Sequence, residues 1–166
     1  MQPSAHVATT FSVRMVRVVA VGRHRHPSRL AAVVSGGYHA GMPEIVSTAD
    51  APSSPLYSQA VKAGGLVYIS GMVGLDVTTG DLAGATIREQ TRQALANCRA
   101  VLRAADAAWE DIAEVGVLLT NPADFAGMNE EYATWFPSTP PARYVAKLGV
   151  ELPGVLISIR MTAFTG

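Results

Sequence analysis

The apolar positions of this chain follow two different periods. Val67 and Ile69 alternate with Tyr68 and Ser70, the two-residue step of a strand. Residues 58–63 and 66–70 flank Gly64-Gly65, which predicts a hairpin. Residues 71–84 are turn-rich around Thr79-Gly80-Asp81. The period then changes. Ile87, Thr91, Ala94, Leu95, Cys98, Val101, Leu102 and Ala105 recur at three- and four-residue steps, with Arg88, Glu89, Arg92, Gln93, Arg99 and Arg103 on the other face. Thr86, with Glu89 three residues on, fits the capping box that would start this helix. Residues 112–120 return to strand spacing, with Val115, Val117 and Leu119 on one face. Asn121-Pro122 opens a second helix, whose apolar stripe is Phe125, Met128, Tyr132, Trp135 and Phe136, with Asn129 at its edge. Pro137, Pro140 and Pro141 stop it, and strands over 142–150 and 155–164 close the chain.

Strands, helix, strand, helix and two strands make an α/β (α+β) arrangement, a mixed sheet with both helices packed on one face. On the last strand Ile157, Ile159, Met161 and Ala163 suit the helix-covered core. Leu156, Ser158, Arg160 and Thr162 point the other way, a mixed set expected of an interface or cleft wall.

Composition narrows the chemistry. At 49% hydrophobic and 16% charged residues the chain is globular in character, and no apolar run is long enough to predict a membrane span. Its 13 basic and 13 acidic residues hide an asymmetry. Residues 1–41 hold five Arg, all four His and no acid, so the rest carries 8 basic against 13 acidic residues, a formal charge of −5. An acidic domain is a poor electrostatic match for nucleic acid. Without His, and with Cys98 alone, residues 42–166 offer no His/Cys zinc site, no histidine base and no intrachain disulfide. Phosphate-cradling glycine motifs are also missing from the sequence. The chemistry is left to Arg, carboxylates, hydroxyls, backbone groups and water.

The basic segment 1–41 is expected to be a disordered or loosely attached extension ahead of a domain over 42–166. Three readings stand: a non-structural extension with Met42 as the natural start, an organelle transit peptide, or a basic binding arm. His24-Arg25-His26 is read as incidental, since neighbouring Arg charges oppose a cation.

Four motifs in order resemble one family. They are Ala51-Pro52 with Tyr57-Ser58-Gln59-Ala60-Val61 and Val67-Tyr68-Ile69-Ser70-Gly71; Gln90-Thr91-Arg92-Gln93-Ala94-Leu95 with Asn97; Asp124-Phe125-Ala126 with Met128-Asn129 and Tyr132; and Pro140-Pro141-Ala142-Arg143. Together they resemble the RidA/YjgF proteins, also known as the endoribonuclease L-PSP family, across essentially all of 43–166. The resemblance implies a chorismate-mutase-like fold and a homotrimer with clefts between subunits. It also implies cofactor-free hydrolysis of reactive 2-imino and 2-enamino acids, such as 2-aminoacrylate, to 2-keto acids and ammonia.

Arg143 is the leading site candidate, because a planar guanidinium grips a carboxylate through two parallel hydrogen bonds. Its structural alternative is a surface or interface ion pair. Tyr57 is placed to line the cleft, or else to anchor the proline loop before it. Ser70 and Gly71 end a strand where a hydroxyl and exposed backbone meet ligand; the alternative for Ser70 is a satisfied strand-end hydroxyl. Asn129 matches a family helix residue and serves either ligand or structure. By the same resemblance, Val145 stands where a Cys is common, Tyr144 where a small residue is usual, and Ser158 where active members carry a water-positioning Glu. Arg160 replaces another acid two residues on, and Glu151 is the nearest remaining carboxylate. The expected catalytic set is Arg143, Tyr57 and Ser158; the expected binding set is Arg143, Ser70, Gly71, Tyr57, Asn129 and Val145. No metal or organic cofactor, nucleic acid or membrane is expected, and the partners are further copies of the chain and small 2-imino or 2-keto acids. Ser158 keeps a second reading open, a non-catalytic binder of small carboxylates; an RNA-active member is a third. The cytoplasm is the default location, or the mitochondrial matrix if residues 1–41 are a transit peptide.

Overall fold

The computed structural model describes residues 42–165, and the readings made for residues 1–41 lie outside them. Six strands and two helices follow in the order β1 (Glu44–Val46), β2 (Ala60–Ala63), β3 (Leu66–Val73), α1 (Ile87–Ala104), β4 (Ile112–Leu119), α2 (Phe125–Trp135), β5 (Ala142–Lys147) and β6 (Ile157–Phe164). They form one mixed sheet in the order β1-β2-β3-β6-β4-β5. Only the β4–β5 pair is parallel; the others are antiparallel. Among the described residues no helix is long and apolar enough to cross a membrane.

Local chemistry explains the elements. Gly64 and Gly65 turn the β2–β3 hairpin with φ of +59° and +78°, a left-handed pair that side chains with a Cβ resist. The Thr86 hydroxyl accepts the Glu89 N–H while the Glu89 carboxylate accepts the Thr86 N–H, so the expected capping box forms. Both helices lie on one face of the sheet. Ala94, Leu95, Cys98, Val101 and Leu102 of α1 are buried with Val67 and Ile69 of β3, Val115 and Val117 of β4, and Ile157, Ile159, Met161 and Ala163 of β6. The expected core face of the last strand is thus the observed one. Cys98 sits wholly within this core, where burial pushes its thiol up.

Three buried amides tie loops to this frame. Gln59 bonds Thr48 both ways and donates to the Ala51 and Pro52 carbonyls. Gln90 donates to the Gly84 and Gly154 carbonyls and accepts the Leu156 N–H. Asn97 donates to the Val73 and Leu75 carbonyls. Each replaces sheet ladder bonds that these irregular segments lack.

Several expectations need correction. β1 was not foreseen: three residues are too few for a period. β5 stops at Lys147 rather than 150, and β6 begins at Ile157 rather than 155, because Leu148–Leu156 form the connecting loop held by Gln90. β3 runs through Gly71 to Val73, with a register shift between Ile69 and Met72. Phe125, placed on the α2 core stripe, is 46% exposed. Of the stripe, Met128 and Tyr132 are buried, while Trp135 and Phe136 pack partly against the core.

Replacing Gln90 by Leu leaves the Leu156 N–H and two carbonyls without partners. A loss of roughly 1–3 kcal/mol in unfolding free energy is expected, read from the midpoint of urea denaturation.

Candidate functional site

Strand alternation decides where each candidate points. On β5, Arg143 lies beside Val115, Val145 beside Val117 and Lys147 beside Leu119. Those β4 residues are buried under the helices, so Arg143, Val145 and Lys147 share the helix-side face of the sheet's outermost strand. Tyr144 points the other way and packs over Gly116, in space that any Cβ at 116 would occupy. Tyr144, which stands where the resemblance has a small residue, is therefore accommodated by a glycine on the neighbouring strand.

Arg143 does not extend freely from this edge. Its guanidinium carbon lies 4.6 Å from the centre of the Tyr132 ring on α2, a cation–π contact that orients the plane while leaving its N–H groups open. Among the described residues no carboxylate pairs with it. The Tyr132 hydroxyl is buried and has no hydrogen-bond partner, and Asn129 Oδ1, one helical turn earlier, shares that condition. Burial pushes the Tyr132 phenol up to about 12, with the Arg143 charge acting in the opposite direction. Neighbouring Glu131 is satisfied: Arg92 donates to it through Nε and Nη2 at 2.9 and 2.7 Å, and Trp135 Nε1 at 3.3 Å.

A second group forms around β3 and β6. A Cβ on Gly71 would stand 2.7 Å from Ser158 Oγ, so these two residues face one another across the strands. Ser158 is 8% exposed. The Ser70 hydroxyl donates to the Ser58 carbonyl at 2.7 Å and its N–H to the Gln59 carbonyl at 2.9 Å. Its proton is thus committed to fastening the Tyr57–Ser58 segment, and its oxygen can still accept. Tyr57 is 53% exposed and lines a cavity of about 460 Å³ with Val46, Ser53, Ser54 and Gln59. Glu151 is exposed in the loop before β6.

The two groups do not meet within one chain. Ser158 lies in register with Leu118, and Leu118 with Ala146, on the face away from the helices. Arg143 belongs to the opposite face. Arg143 and Val145 therefore stand on the helix side, with Asn129 on the helix that Arg143 meets, while Gly71 and Ser158 face one another on the other side and Ser70 is fastened to the Tyr57–Ser58 segment. The sequence reading missed Tyr132, assigned only to the core. Its signal was the odd–even parity of β5, which directs residue 143 toward α2.

Tyr132→Phe keeps the ring and removes an unpaired buried hydroxyl. The variant is expected to unfold at higher urea, by about 1 kcal/mol. The phenol's proton is held more tightly in the folded chain than in the unfolded one. Stability from this group is therefore complete below the ordinary phenol value of 10.0 and falls as pH rises through about 12. Alkaline denaturation of Tyr132→Phe should lack that component.

Comparison with known proteins places residues 48–165 on the family model described as endoribonuclease L-PSP. The chain is 40% identical over 125 residues to a RutC family protein of Pyrococcus horikoshii, covering 74% of this chain and 98% of that protein. It is 36% identical to the human 2-iminobutanoate/2-iminopropanoate deaminase, covering 74% and 90%. Among solved structures, E. coli TdcF with bound serine superposes with a TM-score of 0.69 at 30% identity, covering 74% of this chain and 99% of that one.

Proposed function

The chain belongs to the endoribonuclease L-PSP family, the RidA/YjgF proteins, and we propose that it hydrolyses 2-imino and 2-enamino acids to 2-keto acids and ammonia at sites completed by a second copy of itself. Relatives of this chain from mouse, rat and human carry the name 2-iminobutanoate/2-iminopropanoate deaminase. The observation that carries the reading is the state of Arg143: a guanidinium oriented by the Tyr132 ring and, among the described residues, without an ion-pair partner.

In this account Arg143 takes the substrate carboxylate through two parallel hydrogen bonds and fixes the adjacent imine carbon. Water adds to that carbon, the carbinolamine forms, and ammonia leaves as the carbonyl closes. The Ser158 hydroxyl and the Gly71 backbone hold the water, and Tyr57 closes the cleft. Because the two clusters lie on opposite faces of one sheet, the site joins Arg143 of one protomer to Ser158 of another. A homotrimer meets that need with three equivalent clefts.

Ser158 sets the expected strength. A serine orders water but accepts no proton at neutral pH, and a positioned proton acceptor commonly contributes ~10²–10⁴ in rate. Imines hydrolyse readily, so a carboxylate grip with an ordered water supports a modest catalyst. The same serine favours the second reading, a trimeric carboxylate binder without turnover.

An amino-acid oxidase that generates imino acids in situ, with semicarbazide trapping, tests the reading. The protein is expected to shorten imino-acid lifetime. Arg143→Ala should abolish this while the oligomer stays assembled, and Ser158→Glu should raise the rate tenfold or more. Unchanged lifetimes with every imino acid tested would leave only the binder.

A further inference from the structure

The face of β5 that carries Arg143 carries a second cation. Lys147 follows four residues later in the same orientation, with Val145 between them. At ~3.3 Å per residue the two backbone positions stand roughly 13 Å apart. Past Val145 the strand borders a cavity of about 390 Å³ lined by Leu119, Pro122, Phe125, Val145, Ala146 and Lys147. Lys147 is the one charged residue in that lining, and among the described residues no carboxylate pairs with it.

The neighbouring helix follows the same line. Tyr132 meets Arg143 at one end of this strand face, and Phe125, seven residues earlier on α2, borders the cavity beside Val145 and Lys147 at the other. Helical rise over seven residues is ~10 Å, which matches the spacing along the strand. One face of β5 thus carries a guanidinium, an apolar side chain and an ammonium in line, the last two bordering the cavity. Phe125, exposed where the helical stripe would bury it, forms part of that apolar wall.

We infer that Lys147 is a specificity-determining residue and that the preferred ligands are dicarboxylic 2-imino and 2-keto acids of five or six carbons. This rests on the reading that Arg143 grips the carboxylate next to the reactive carbon. The ligand's methylene chain then crosses Val145 toward Phe125, and its distal carboxylate meets Lys147. Each carboxylate exchanges water for a cation that no carboxylate of the described residues pairs with, while the methylenes leave water. A monocarboxylic acid with a short chain uses only the first contact. A branched aliphatic one fills the apolar floor without engaging the ammonium.

Calorimetric titration of the full chain with 2-oxoglutarate, 2-oxo-4-methylpentanoate and pyruvate tests this without requiring turnover. The expected order is 2-oxoglutarate tightest, by tenfold or more over pyruvate. Lys147→Ala should weaken 2-oxoglutarate about tenfold and leave 2-oxo-4-methylpentanoate within twofold. Lys147→Arg should restore most of the loss. Equal 2-oxoglutarate binding by the parent and Lys147→Ala, or tighter binding of 2-oxo-4-methylpentanoate, would overturn the inference. Parallel assays on 2-iminoglutarate and 2-iminopropanoate separate the two claims. Lys147-dependent binding without turnover of either imino acid keeps this inference and removes the deaminase. Turnover of both at rates indifferent to Lys147 does the reverse.

Discussion

Among the described residues the sheet is covered by helices on one face only, and this is the constraint from which the rest follows. Because successive side chains alternate, each strand must divide its residues between a dry core and an uncovered surface. On β6 this sends Ile157, Ile159, Met161 and Ala163 inward and leaves Ser158 on the face that no helix covers. On β5, the outermost strand, it sends Arg143 toward α2 and Tyr144 away from it. A one-residue slip of β6 would exchange its two sets and place Arg160 in the core. The positions of the candidate groups are therefore enforced by burial of the whole sheet, and local hydrogen bonding contributes the finer aim.

Those two strands also give the account its chemical character. Arg143 rests on an aromatic face and, among the described residues, meets no competing carboxylate, which suits it to an incoming acid. The orphaned oxygens of Tyr132 and Asn129 on α2 mark places where packing has left polar capacity unspent. Across the sheet, Ser158 and Gly71 approach so closely that a larger residue at 71 would displace the serine. In the proposed site one surface supplies positive charge and the other a small hydroxyl with backbone. Neither histidine nor cysteine enters, in keeping with a sequence that has no histidine after residue 41 and one buried thiol.

Much of the fold was legible because periodicity is a statement about burial. Helix α1 and its C-cap show eight core-facing positions at helical steps and a capping pair; the capping pair forms and seven of the eight positions are buried. The alternation of β6 was equally clear. What escaped detection was short or depended on distant partners. β1 has three residues and no period. The end of β5 is set by the Leu148–Leu156 loop, held from 66 residues away by the Gln90 carbonyl. Phe125 obeys the α2 stripe, yet at the helix's first turn it is exposed and borders an open cavity beside Val145 and Lys147. Four motifs identified the candidate residues by resemblance, but that they divide into two clusters follows from strand order. β4 between β6 and β5 cannot be read from local sequence.

Subunit complementation tests the central claim most directly: that the site joins opposite faces of the sheet from two copies. Arg143→Ala and Gly71→Val each disable one cluster and should be inactive alone. Denatured together, refolded and assayed as mixed oligomers, they should regain a substantial fraction of imine hydrolysis, because some interfaces then contain both intact clusters. Mixed oligomers that form yet remain as inactive as either parent variant would contradict it.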